Sequence, residues 1–358
     1  MRTACILEYL ASRYSVDVIT FRESGAPDPR DAFPPKIARS IFLLPLPKHT
    51  KRPWERALRN LRRAIQGAPP LVDRFSGHQL PVLGDYELGV IEHFWCAPYV
   101  AQLQLRCRRV VLDLHNIESV LLQRCAATEN RAGNLLFSVF ARSCKRMEEL
   151  LLPQFDQLLV TSEADRELVG GVVYPNVIPY IPLPNRRRNF EVAFSGNMEY
   201  HPNTAAAHYF ARAIWPILRA RHPDLRWKLI GRNPHALSLP TDERIITTGP
   251  VDDAVGELAT ACAAVVPLLS GSGTRFKILE AWAAGTPVVS TSIGAEGLDA
   301  NAGEHLLIAD TPEEFATAVS NILSDETLAE RISRAGRAFY EANFTWPVAW
   351  KMLELAEL

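Results

Sequence analysis

The chain has 358 residues, which suits two domains of ordinary size, and its 47% hydrophobic content supplies sizeable cores. A formal net charge of -1 excludes a general nucleic-acid binder. No apolar run reaches the roughly 18 residues of a membrane span, and charges throughout the N-terminal segment leave no signal-peptide core.

Six cysteines (Cys5, Cys96, Cys107, Cys125, Cys144 and Cys262) show neither a CxxC pair nor metal-ligand spacing. They read as mostly buried thiols in a reducing compartment, so a cytoplasmic protein is the simplest expectation. Charge is uneven: residues 1–185 carry 23 Lys+Arg against 19 Asp+Glu, and the remainder carries 16 against 21. Much of the positive excess sits between 48 and 63.

Strand and helix patterns alternate almost from end to end, which predicts parallel sheets covered on both faces. Residues 4–13 read as a helix with Ile6, Leu7 and Leu10 on its apolar side. A strand follows at 16–20. Residues 48–65 carry Trp54, Leu58, Leu61 and Ile65 at helical spacing, with Arg56, Arg59, Arg62 and Arg63 on the other sides. Two readings fit this segment. It is a basic amphipathic helix for an anionic membrane surface, or a helix packed on its domain with a solvated basic face.

Strands are then predicted at 88–91, 110–114 and 157–161, with helices at 98–106, 117–151 and 164–168. Residues 174–185 hold four prolines and read as an extended linker. Beyond it, strands are expected at 191–195, 227–230, 263–267 and 288–290. Helices are expected at 203–219, 253–261, 274–284 and 312–323.

The most informative stretch is 271–291, GSGTRFKILEAWAAGTPVVST. It reads as a glycine-rich loop, an amphipathic helix and a buried strand. A helix starting at Thr274, just after Gly271, Ser272 and Gly273, presents unpaired N–H groups and a positive dipole end, which suits a phosphate. Arg275 and Lys277 add cations. Glu280 lies about one turn on, on the side of Lys277, and offers a carboxylate to hydroxyl groups. Together these suit a sugar nucleotide. The plain alternative is an α/β helix with a solvated Arg/Lys face.

Other candidates stand at the C-terminal ends of predicted strands, where open parallel sheets bind ligands. Gly196 and Arg232 follow two strands of the second half. His115 follows 110–114 and precedes a helix. Asn116 and Glu118 are placed to orient His115 or to cap that helix, capping being the expected role of Asn116. His93 ends the preceding strand. No metal set is evident by spacing, since Asp252-Asp253 lacks a DxD arrangement and reads as a helix start.

The 271–291 segment resembles the donor-site helix of GT-B glycosyltransferases, of the retaining family 4 type (glycosyl transferases group 1). Those enzymes carry E-x7-E there. Here Glu280 is the second acid and Ser272 replaces the first, so the resemblance is to the branch with GxGxRxKxLEA. VTSEADREL at 160–168, YPNV at 174–177 and FSGNMEYHPN at 194–203 are similar to further family segments. The resemblance implies a GT-B fold: two Rossmann-like domains with a central cleft and a C-terminal crossover helix.

It implies domain bounds of 1–176 with 345–358 for the acceptor side and 177–344 for the nucleotide-sugar side. It also implies transfer of a hexose from a UDP- or GDP-sugar to a glycan or lipid-linked glycan, with retention and without a metal or other cofactor. Gly196 would lie near the donor phosphates, with Arg232 beyond another strand. Val251, in TGPVDD at 248–253, would lie against the nucleobase, and His115 would face the transferred sugar. Two other readings stay open: a GT-B-fold epimerase or phosphorylase, and a non-catalytic partner subunit. Family members begin with a strand and a glycine-rich loop before their first helix. This sequence begins at that helix, so either its start is placed late or the protein is shortened.

Overall fold

A computed structural model describes every residue except 1, 49–51, 82–83, 128–130, 235–236 and 271–275. The chain divides into two compact units, Met1–Tyr174 with Trp350–Leu358, and Pro175–Ala349.

In the first unit, β1 (Asp17–Glu23) and β2 (Ser40–Leu46) form a parallel pair. A second parallel sheet runs β3 (Tyr86–Glu92), β4 (Cys107–Asp113), β5 (Gln157–Val160) and β6 (Val172–Val173). In β4, Val110, Val111 and Leu112 are all buried, as expected when both faces of a parallel strand are covered. β2 was not expected from sequence. Pro45 lies within it, and a proline is tolerated because β2 is an edge strand. The helix Arg2–Ala11 packs on the returning segment of the chain, with Tyr9 Oη donating to the Leu358 carbonyl at 2.8 Å.

The expected helix over 117–151 is two helices, Glu118–Ala127 and Arg131–Leu151, packed against each other. Asn134 Nδ2 donates to the Ala126 carbonyl at 2.9 Å and satisfies one of the orphan acceptors at the end of the first helix.

The helix Pro53–Gln66 corrects one of the two readings of 48–65. It does not pack by its apolar stripe. Arg63 is buried instead, its Nε 2.7 Å from Asp73 Oδ2, while Trp54, Leu58, Leu61 and Ile65 face solvent.

The second unit holds one parallel sheet in the order β12-β11-β10-β7-β8-β9. Its strands are β7 (Asn189–Ser195), β8 (Arg226–Ile230), β9 (Ile245–Thr247), β10 (Ala261–Val266), β11 (Val288–Ser290) and β12 (Leu307–Ile308). Counted within the unit, the order is 3-2-1-4-5-6 read from the β9 edge, the doubly wound arrangement. The expected helix over 203–219 is a rod from His201 to Arg221 with a π-type turn at Phe210–Ile214. Pro216 follows that turn and has no N–H to give, which accounts for the local rewinding. The expected helix 253–261 is only Ala254–Leu258, because Ala261 already opens β10. A further helix, Glu326–Asn343, follows Pro312–Ser324, and Asp325 caps it by accepting from Leu328 N.

Candidate functional site

The chain order of the second sheet reverses between β7 and β10, and ligands bind at strand carboxyl ends at such a switch point. Ser195 ends β7 and Gly196 follows it. Beyond β10 comes the helix Phe276–Ala283, which carries Lys277 and Glu280. Trp282 fixes this helix: its ring is fully buried and its Nε1 donates to the His305 carbonyl at 3.0 Å. Burying roughly 200 Å² of indole at about 25 cal/mol per Å² gives at most about 5 kcal/mol toward that placement.

The fixed helix brings three of the sequence candidates together. Ser195 Oγ lies 3.4 Å from Glu280 Oε2. A Cβ added at Gly196 would stand 2.8 Å from Lys277 Nζ and 2.7 Å from Asn203 Nδ2, so the ammonium and the amide sit directly over this glycine. Lys277 Nζ is also 5.6 Å from the centre of the Phe194 ring. Burial raises the Glu280 carboxyl above its ordinary value, and the Lys277 charge and the Ser195 hydroxyl offset part of that rise.

Gly231 follows the neighbouring β8 with φ +127°, and a Cβ there would come within 2.1 Å of the Gly196 carbonyl oxygen. Arg232 is exposed, and its carbonyl accepts from Met198 N at 2.9 Å. Gly231 N donates to the Gly249 carbonyl at 3.1 Å, which ties in the loop that leads to Val251. Val251 is partly buried against the unit's core. Gly271, Ser272, Gly273, Thr274 and Arg275 lie outside the described residues. Sequence reasoning did not single out Ser195, Asn203 or Ser270. The Ser270 hydroxyl is fully buried and has no partner among the described residues. Its place directly before the Gly271-Ser272-Gly273 loop is the signal that could have found it.

The first unit assembles a second group at the ends of β3 and β4. Parallel register sets Glu92 beside Asp113. His115 Nε2 reaches Glu92 Oε2 at 2.8 Å and lies 3.4 Å from Asp113 Oδ2. Arg2 is buried, donates through Nε to both Asp113 oxygens at 3.0 and 2.9 Å, and also donates to the Tyr174 carbonyl. Thr3 Oγ1 donates to Glu92 at 2.9 Å.

His93 takes φ +69°, an uncommon conformation for a side-chain-bearing residue. It stacks on Trp95, with ring centroids 3.9 Å apart, and its other neighbour is the His115 ring, tilted by 40° at 3.7 Å. Asn116 sits in the bend before the helix Glu118–Ala127.

The electrostatics of this group are set by burial and close charges. Burial works against a charged His115, but hydrogen bonds and charge from Asp113 and Glu92 outweigh it and hold the imidazole above its ordinary value. Burial and then the His115 charge push His93 down to about 3. Burial, then the Asp113 charge, raises Glu92. Burial would raise Asp113, yet Arg2 brings it down to about 2. Burial and the Glu148 charge push Glu118 up to about 7.

Glu92, Asp113 and His115 place one ligand atom each within 4.8 Å of one another, a possible metal set that sequence spacing did not show. Its members come from two strand ends, which is why no spacing pattern reveals it. Arg2 already supplies the compensating positive charge to Asp113, so the set fits an ion-pair network better than a cation site.

Residues 189–325 match the family of glycosyl transferases group 1. Similarity to solved structures extends over the whole chain. Sucrose-phosphate synthase from Thermosynechococcus elongatus superposes with a TM-score of 0.64, covering 98% of this chain and 90% of its own, at 18% identity. Anabaena HepE, solved in complex with UDP, gives 0.61 over 100% of this chain and 96% of its own, at 13% identity.

The chain has the GT-B fold.

The expected pair of Rossmann-like domains is thereby shown. An uncharacterized 44.6 kDa protein in the cps region of Klebsiella pneumoniae is 26% identical over 257 residues. That match spans 67% of this chain and 66% of the relative, slightly under two thirds of its length. Among the described residues, no helix of this GT-B chain is long and apolar enough to cross a membrane.

Proposed function

We propose that the protein is a retaining glycosyltransferase of the family 4 type. It moves a hexose from a UDP- or GDP-sugar to a hydroxyl of a glycan or a lipid-linked glycan. The observation that carries this reading is the meeting of Lys277, Glu280 and Ser195 around Gly196 at the switch point of the second sheet. Lys277 would neutralise the departing diphosphate, and Glu280 would accept from ribose hydroxyls. Arg275 and the backbone N–H groups of Gly271–Thr274 are assigned to the same diphosphate on the sequence pattern. Arg232 and Val251 would border the phosphates and the base.

The nucleotide-sugar domain is then 177–344, which falls within the second unit. The acceptor domain is 1–176 with 345–358, where His115 would meet the transferred sugar beside His93 and Asn116. Charge in the departing diphosphate would be stabilised by side chains and backbone, with no bound metal. Six free cysteines suit a cytoplasmic enzyme.

Binding of UDP, GDP and their sugars, measured by calorimetry on the wild type and Glu280→Ala, tests this reading. The variant should lose about 1.5–3 kcal/mol, as for a charged hydrogen bond removed. Equal affinity in a folded variant would take Glu280 out of the site.

A further inference from the structure

The helix Pro53–Gln66 is inverted relative to an ordinary surface helix. A surface helix buries its apolar stripe and shows its charges to water. Here Trp54, Leu58, Leu61 and Ile65 are 64, 63, 57 and 78% exposed. The inward side carries the buried Arg63, paired with Asp73, and the half-buried Arg59. Leaving four such side chains in water forgoes the burial that normally holds a surface helix in place. The stripe runs about 16 Å along one side of the helix, at about 1.5 Å per residue. The helix Arg131–Leu151, which packs beside it, exposes Leu135 as well.

Charge decides what covers this stripe. Residues 48–65 hold seven Lys and Arg against one acid, Glu55, in a chain of net charge -1. Lys48, Arg52 and Arg62 are exposed. A second copy seated face to face would bring two such basic borders together, which is repulsive. An anionic lipid surface offers an apolar layer beneath a negative one, complementary to both parts of the helix.

We propose that Pro53–Gln66 lies flat on an anionic bilayer, with Trp54, Leu58, Leu61 and Ile65 entering the headgroup–acyl boundary. Lys48, Arg52 and Arg62 meet the anionic headgroups. The proposal rests on this helix and is independent of the donor-site reading.

The full chain is sedimented with vesicles of phosphatidylcholine alone and of phosphatidylcholine mixed with phosphatidylglycerol. Binding is expected to the mixed vesicles and to weaken with added salt. The double variant Leu58→Ser/Ile65→Ser should bind roughly tenfold or more weakly, and Arg52→Gln/Arg62→Gln should lose the preference for the anionic lipid. Thermal melting of both variants should match the wild type, because all four side chains are exposed. No binding to mixed vesicles, or equal binding to both kinds, would overturn the proposal. So would a wild-type dimer that Leu58→Ser/Ile65→Ser separates while vesicle binding is unchanged.

Discussion

His115 Nε2 and Glu92 Oε2 share a hydrogen bond of 2.8 Å at the carboxyl ends of two adjacent parallel strands. This contact and Asp113 hold His115 above its ordinary value of 6.5 despite burial. Its stabilising effect is therefore fully present below that value and is lost as pH rises through the folded-state pKa. Replacing Glu92 with Gln removes a negative partner and should lower the His115 pKa. NMR titration of the imidazole reads this directly, and an unshifted midpoint would contradict the contact.

Arg2 and Asp113 form the buried ion pair beneath that histidine. Asp113→Asn leaves a guanidinium buried without its counter-charge, which should destabilise the protein by about 3–5 kcal/mol. Arg2→Met strands the carboxylate in the same way. The double variant should lose clearly less than the two single losses together, because it leaves neither charge behind. Urea unfolding of the three variants is the check, and strictly additive losses would mean that the two groups are not coupled.

Gly231 has the tightest backbone approach among the described glycines: its Cβ position lies 2.1 Å from the Gly196 carbonyl oxygen. The φ of +127° is strained for any side chain as well. Gly231→Ala should therefore destabilise by more than about 1 kcal/mol and displace Gly196. Thermal unfolding tests the first effect and nucleotide binding the second. A variant unchanged in both would contradict the close packing of these strand ends.

Most of the sheet framework was legible because parallel strands buried on both faces leave continuous apolar runs, as at Val110–Leu112 and Val288–Val289. β2 was missed because Pro45 interrupts its pattern, and β12 because two residues carry no periodicity. The 117–151 run concealed a break that apolar spacing alone does not mark. In the second unit, Lys277 and Glu280 were readable from one helix.

Ser195 and Asn203 were not readable in the same way, because they reach the site from the end of β7 and the start of the next helix. Arg2 was unreadable for a related reason. Its partner lies 111 positions along the chain, and only the fold brings the two together.

The central claim is tested most directly by incubating the full chain with a panel of UDP- and GDP-sugars and candidate glycan acceptors in excess EDTA. NMR would follow both the nucleotide released and the anomeric configuration of the product. The account predicts release of UDP or GDP from one donor, sugar transfer with the configuration retained, and loss of both in Glu280→Ala and Lys277→Ala. Tight nucleotide binding with no turnover of any donor, with or without added Mn²⁺, would contradict it and identify a non-catalytic subunit.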